Sequence, residues 1–330
     1  MKKILFVNFL TIIFIFLIIE FSLRIFNIVE LQGFNKKSFF KKDGITYHKP
    51  NISMVVMGEM IKTDPNGFRV PLTDYKLIDN QKSIIILGDS VSFGVSVEER
   101  NTFIGRLRSQ SKKNLLNTSV AGHRLEDYTF LIKKYNNDFP QVKEILIFLC
   151  LNDIVLQEGV LQKENLETEI YDNKNFISKL INNKLFIKLN FFLRDKSATF
   201  NLIKAVSTNN VKRHYNYMSP YYLNKNYLEE YEKNLKKIID YADKKQLEVK
   251  FILLPYKYQI KKDCQFDIMN PQYQISLLFR KLNQQLFDFS NDFCNKNDNK
   301  KLFLNFDPVH LSSAGHKFVS KLLIDKGVLN

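Results

Sequence analysis

Cysteine is scarce in this chain: 3 in 330 residues, and Cys150, Cys264 and Cys294 fall in no metal-ligand spacing. A cysteine-built metal site is thereby excluded. Cys150 ends an apolar stretch and reads as a buried thiol. Cys264 and Cys294 could pair in an oxidising compartment, which spacing alone does not decide. Acidic residues are also few, 34 against 49 Lys and Arg, giving a net charge of +15. The excess is mostly lysine, spread along the chain among Asn, Ile and Phe, with no Arg-rich cluster, zinc spacing or RNA-binding aromatic motif. Such a distribution describes a solvated cationic surface, and no nucleic-acid partner is expected. The same charge would attract an anionic membrane or glycan. No internal repeat and no long low-complexity tract is present.

What the chain does have begins at its N-terminus. Ile4 to Ile19 is apolar apart from Asn8 and Thr11, and the run continues through Phe21 to Phe26 with Glu20 and Arg24 as its only charges. About 20 residues suffice for a helix to cross the hydrocarbon core. Glu20 and Arg24, four apart, can pair at its boundary. No small-x-small cleavage site follows, so residues 1–26 are expected to be an uncleaved transmembrane anchor and not a signal peptide. Lys2 and Lys3 argue for an N-terminus inside, whereas Lys36, Lys37, Lys41 and Lys42 count against it. A long trailing domain crosses largely regardless of charge, so the reading is N-terminus in and domain outside, periplasmic or on the cell surface.

Residues 27–82 read as a linker and lead-in, with a turn at Asp64-Pro65-Asn66-Gly67. From Ser83 strands and helices alternate. Strands are expected at 84–87, 115–117, 144–151, 249–254 and 301–306. Helices are expected at 102–110, 125–135, 227–245, 274–293 and 313–325, the last capped by Ser312. That alternation implies an α/β domain with a parallel sheet covered on both faces. Residues 155–225 interrupt it and read as a helical insertion over the site. Ser90, Gly122, Asn152 and Asp307 each fall just past an expected strand, on one edge of the sheet.

Four apolar residues, Ile84 to Leu87, run into Gly88-Asp89-Ser90. In open α/β sheets ligands bind at the carboxyl ends of the strands. A serine there is placed to attack a substrate, although Gly, Asp and Ser are also ordinary turn residues. Near the end of the chain Asp307-Pro308-Val309-His310 sets a carboxylate three residues from an imidazole. Serine, histidine and aspartate are the parts of an activated oxygen nucleophile.

Gly88 to Gly94, Asn117 to Gly122, Cys150 to Asp153 and Asp307 to His310 form four ordered blocks that resemble those of the SGNH (GDSL) hydrolase superfamily, in its membrane-anchored bacterial type. The resemblance spans about residues 83–325, and the domain is assigned to 83–330. It implies the three-layer, flavodoxin-like parallel sheet of that superfamily. It also implies Ser90 as nucleophile, His310 as base, Asp307 as the acid that orients it, and an oxyanion hole from the Ser90 and Gly122 amides and the Asn152 side chain. One departure stands out: Cys150 occupies a position usually held by glycine, which could narrow the strand end or shift Asn152. Asp89 is expected to order the turn. His316 reads as structural, His123 as a surface-loop residue, and Arg69, in Asn66-Gly67-Phe68-Arg69, as part of a strap.

The function these readings imply is a serine esterase acting on O-acyl, foremost O-acetyl, esters of an envelope or secreted glycan. An O-acetyltransferase would use the same triad, with a sugar hydroxyl in place of water. A catalytically inactive glycan-binding protein is the reading of another class. Neither a cofactor nor a metal is implied. Expected partners are the acylated glycan or another small ester, the membrane, and envelope polysaccharide assembly proteins.

Overall fold

In the computed structural model, which describes residues 2–26, 28–29, 31, 36–73, 75–78, 81–155 and 184–329, the N-terminal apolar run is one helix, Lys2–Ile25 (α1). It is long and apolar enough to cross a membrane, and none of its apolar window is buried against the rest of the chain. Glu20 and Arg24 pair as their four-residue spacing predicts.

The lead-in is more than a linker. Phe39–Lys42 (β1) and Ile45–His48 (β2) form a hairpin. Ser53–Val56 (β3), Glu59–Thr63 (β4) and Arg69–Val70 (β5) are antiparallel strands that extend the edge of the main sheet. The turn at Asp64 forms because its Oδ1 accepts the Asn66 and Phe68 amides at 2.8 and 2.9 Å. The sheet therefore begins well before Ser83.

Ser83–Leu87 (β6) enters the middle of that sheet and is followed by a short helix, Ser90–Phe93 (α2). Phe103–Arg108 (α3), Asn114–Asn117 (β7), Leu125–Asp138 (α4) and Glu144–Leu149 (β8) come next. β6 and β8 are almost wholly buried, as near-continuous apolar strands are when helices cover both faces. Of the expected insertion, residues 156–183 lie outside the described set. The remainder is helical: Lys184–Lys196 (α5), Ala198–Thr208 (α6) and Asn210–Met218 (α7). The chain then returns through Lys225–Lys245 (α8) to Glu248–Leu253 (β9).

The expected helix over 274–293 is three elements: Asn270–Lys281 (α10), Leu286–Asp288 (β10) and Ser290–Cys294 (α11), after a short Lys257–Lys261 helix (α9). Asn283, at φ 50°, takes the left-handed conformation that breaks the helix. The three-residue strand that follows is too short for its periodicity to be distinct. The expected strand at 301–306 is absent too. Asn299–Leu302 is a 3-10 turn, and Phe303 makes an isolated antiparallel bridge to Leu311. That segment folds back on itself and does not join the sheet. Ser313–Asp325 (α12) closes the fold, capped by Ser312 accepting the Gly315 amide. Cys264 and Cys294 form a disulfide, while Cys150 is a buried thiol.

The sheet order is β10-β9-β8-β6-β7-β5-β4-β3, with the first five parallel where they adjoin. From β6 the chain moves outward to β7, then back past β6 to β8 and on to β9 and β10. Right-handed crossovers place helices on opposite faces when the direction reverses. Accordingly α3 packs with α12, and α4 packs with α8. This is the three-layer, flavodoxin-like order, and its switch point lies between β6 and β8, the place where such sheets bind ligands.

Candidate active site

The carboxyl end of β6 delivers Ser90 into a sharp turn. Gly88 is required there, because a Cβ would lie 1.9 Å from Ser92 Oγ and 3.3 Å from Phe148 Cβ. Asp89 then caps α2, its Oδ1 accepting the Val91 amide at 2.8 Å. Behind the turn, the buried Arg69 of β5 donates to the carbonyls of Phe93, Gly94 and Val97 at 2.5 to 2.6 Å. The strap reading of Arg69 acquires a definite form here: it clamps the far end of the helix that carries Ser90.

Asp307 and His310 come from the loop after the Phe303 bridge, and not from the end of a sheet strand. Two local devices shape that loop. Asp307 Oδ1 accepts the Val309 and His310 amides at 2.8 and 2.7 Å. The buried Lys257 donates its ammonium to Leu304 O and its amide to Pro308 O, pinning the loop to the segment after β9. Burial lowers the Lys257 pKa to about 8, against the opposing pull of Asp307.

These pieces bring the three predicted residues together. His310 Nε2 lies 2.9 Å from Ser90 Oγ, and His310 Nδ1 lies 2.8 Å from Asp307 Oδ2. Burial opposes ionisation of Asp307, but His310 and the two loop amides outweigh it and hold its pKa at about 2. Burial likewise opposes the imidazolium, yet Asp307 holds His310 above its ordinary value. Charge thus favours a histidine that can take and keep a proton.

Asn152 sits at the end of β8, across the switch point from Ser90. Its Nδ2 donates to Asp89 Oδ2 and its Oδ1 accepts from Tyr256 Oη, both at 2.9 Å. A carboxylate accepts and a tyrosine hydroxyl donates, so the pair sets which end of the amide is which and leaves a second Nδ2 proton to point elsewhere. Cys150, where a glycine was expected by resemblance, is buried, and Asn152 still lines the same cavity as Ser90. Asp153 accepts the Cys150 amide and the Tyr128 hydroxyl. Its pKa is pushed well up by burial and then by the Asp89 carboxylate.

Gly122 follows β7 with φ 89°, and a Cβ there would meet no protein atom within 4 Å. Glycine is needed for this backbone conformation and not for close packing against the protein. Among the described residues, no protein acceptor takes the amide of Ser90 or of Gly122. Both residues line a cavity of about 390 Å³ with Asp89, Asn152, Asp307 and His310.

One histidine reading changes and another stands. His123 is not on a surface loop: it is buried, with Nε2 2.7 Å from Thr46 O. His316 is structural, its Nδ1 accepting the Phe103 amide at 3.2 Å. Tyr256 and Lys257 were not singled out in the sequence. Their one signal was Pro255, which ends β9 at the level of the site.

No family model and no curated protein sequence matches the chain. Solved structures do resemble it. A member of the lipolytic protein G-D-S-L family from Veillonella parvula is 14% identical over 74% of this chain and 97% of its own, with a TM-score of 0.39. The psychrotrophic esterase EstA from a Pseudoalteromonas species is 12% identical over 76% and 100%, at 0.42. A lipase/acylhydrolase from Enterococcus faecalis is 14% identical over 76% and 98%, at 0.41.

Proposed function

We propose that the chain is a serine ester hydrolase of the SGNH (GDSL) superfamily, anchored by α1 with its domain outside the cytoplasm. Its substrate is an O-acyl, foremost O-acetyl, ester of an envelope or secreted glycan. The observation that carries the reading is the Ser90–His310–Asp307 relay, with contacts of 2.9 and 2.8 Å at the edge of the sheet where the strand order reverses.

In this mechanism Ser90 Oγ attacks the acyl carbon while His310 Nε2 takes its proton. The carbonyl oxygen becomes an oxyanion held by the Ser90 and Gly122 amides and the free Nδ2 proton of Asn152. The C–O bond to the sugar breaks, and His310 returns the proton to the leaving oxygen. Water then repeats the sequence on the acyl-serine and releases the carboxylic acid. Asp307 keeps the imidazole oriented and stabilises its charged form. The steps call for no cofactor. The Cys264–Cys294 disulfide favours an oxidising compartment, and α1 supplies the attachment to the membrane.

The test is turnover of p-nitrophenyl acetate, and of an O-acetylated glycan, by the full chain beside Ser90→Ala. Loss of the nucleophile is expected to cut turnover by about 10⁴- to 10⁶-fold. Undiminished turnover in Ser90→Ala would overturn the assignment. Acetyl appearing on an added glycan in place of free acetate would make the enzyme a transferase. Glycan binding without any Ser90-dependent turnover would make it a binding protein.

A further inference from the structure

α1 does not merely precede the domain; its end is built into it. Glu20 Oε1 accepts the Ala198 amide at 2.8 Å, and Oε2 accepts the Thr199 amide at 2.9 Å and the Ser197 hydroxyl at 3.0 Å. Arg24, paired with Glu20, also donates to Lys196 O. The boundary of the apolar helix is therefore fastened to the junction of α5 and α6.

Those two helices carry an unusual surface for a soluble face. Leu185, Leu189, Phe191 and Phe192 on α5, and Ile203 and Val206 on α6, are each more than half exposed. Large apolar side chains exposed together on neighbouring helices mark a protein or membrane interaction surface. Residues 185–213 also carry six Lys or Arg and a single acid, Asp195. Cationic side chains interleaved with exposed Phe, Leu and Ile on a helix are the composition of a segment that lies in a membrane interface.

We propose that α5 and α6 lie in the headgroup layer of the membrane that α1 spans, apolar side chains toward the acyl chains and Lys and Arg at anionic lipid phosphates. This inference rests on the reading of α1 as an anchor. Continuity supplies the occupant: a surface fixed by hydrogen bonds to the end of a transmembrane helix is already at the depth of the headgroups. The consequence reaches the site, because Arg194 of α5 and Asn210, His214, Tyr217 and Met218 of α7 line the cavity that holds Ser90. That wall of the cavity is built by α5 itself and by α7, which packs on α6, and this favours an ester presented at the membrane surface over one diffusing in bulk solution.

The sequence has no tryptophan, so single Phe→Trp variants give clean reporters. The full chain would be placed in phosphatidylcholine–phosphatidylglycerol nanodiscs whose acyl chains are brominated. Phe14→Trp reports α1, Phe191→Trp reports α5, and Phe130→Trp, on α4, is the control. Phe14→Trp and Phe191→Trp are expected to lose most of their emission to the bromine, with Phe130→Trp unchanged. Quenching of Phe191→Trp should weaken in pure phosphatidylcholine while that of Phe14→Trp stays constant. Quenching at Phe14→Trp with none at Phe191→Trp would overturn this inference and leave the anchor standing. No quenching at Phe14→Trp would overturn the anchor itself. A Phe191→Trp emission that is protected from bromine only in discs holding two copies would assign the patch to a dimer instead, and so overturn it.

Discussion

Asn152 donates from Nδ2 to Asp89 Oδ2 at 2.9 Å, tying the turn after β8 to the turn after β6. The two strands are neighbours in the sheet and flank its switch point. The bond therefore fixes a prospective oxyanion donor relative to the proposed nucleophile on the residue after Asp89, Ser90. Tyr256, reaching in from the end of β9, holds the other end of the same amide.

Removing that donor should act on the chemical step. Asn152→Ala is expected to lower kcat by about 100- to 1000-fold. Tyr256→Phe keeps the donor but releases its orientation, so a smaller fall in kcat with KM unchanged is expected. Steady-state kinetics on p-nitrophenyl acetate would check both. A KM effect alone would show that Asn152 binds ground-state substrate instead.

The pH dependence follows from His310. Asp307 raises its pKa above the ordinary value, and only the neutral imidazole can accept the serine proton. Activity is therefore present above the raised pKa and lost as pH falls through it. The acid limb of kcat/KM should lie above about 6.5, the unperturbed histidine value. Asp307→Asn should move that limb down and reduce kcat by about 10⁴-fold.

Arg69 should matter to stability before it matters to chemistry. Arg69→Met would strand the Phe93, Gly94 and Val97 carbonyls, which its guanidinium now satisfies in a buried setting. A buried unsatisfied group costs about 1–3 kcal/mol, and hydrogen bonds to charged groups are the stronger kind. Urea unfolding should show a loss of at least that size. Arg69→Lys should not rescue it, because a single ammonium lacks the guanidinium fork.

The disulfide closes a 30-residue loop between the segment after α9 and α11. Cross-linking a loop of that length is worth about 3–4 kcal/mol in the chain-entropy account. Cys264→Ser with Cys294→Ser should lower the unfolding midpoint by a matching amount. The site residues should keep their activity, since neither cysteine lines the cavity.

Much of this was legible in the residues. Apolar runs ending in Gly88-Asp89-Ser90 and Leu151-Asn152 mark buried strands because such strands must be hydrophobic on both faces. The break at Asn283 and the fold-back after Phe303 were hidden, because a single left-handed residue and an isolated bridge leave no periodic signal. The strands at 53–70 were hidden for a related reason: short antiparallel edge strands alternate weakly and sit among turn residues.

The sequence by itself determined which chemistry is available, since a serine, an imidazole and a carboxylate at turn positions are covalent facts, and the apolar run Ile84 to Leu87 alone determined that a buried parallel strand would carry the serine. Only the tertiary structure decided that Ser90 and His310, 220 residues apart, meet at 2.9 Å. It alone decided that Asn152 is oriented by Asp89 and Tyr256, and that Glu20 fastens the apolar helix to α6. Those contacts join distant segments through directional hydrogen bonds, and their geometry exists only once the sheet has set the strand ends side by side.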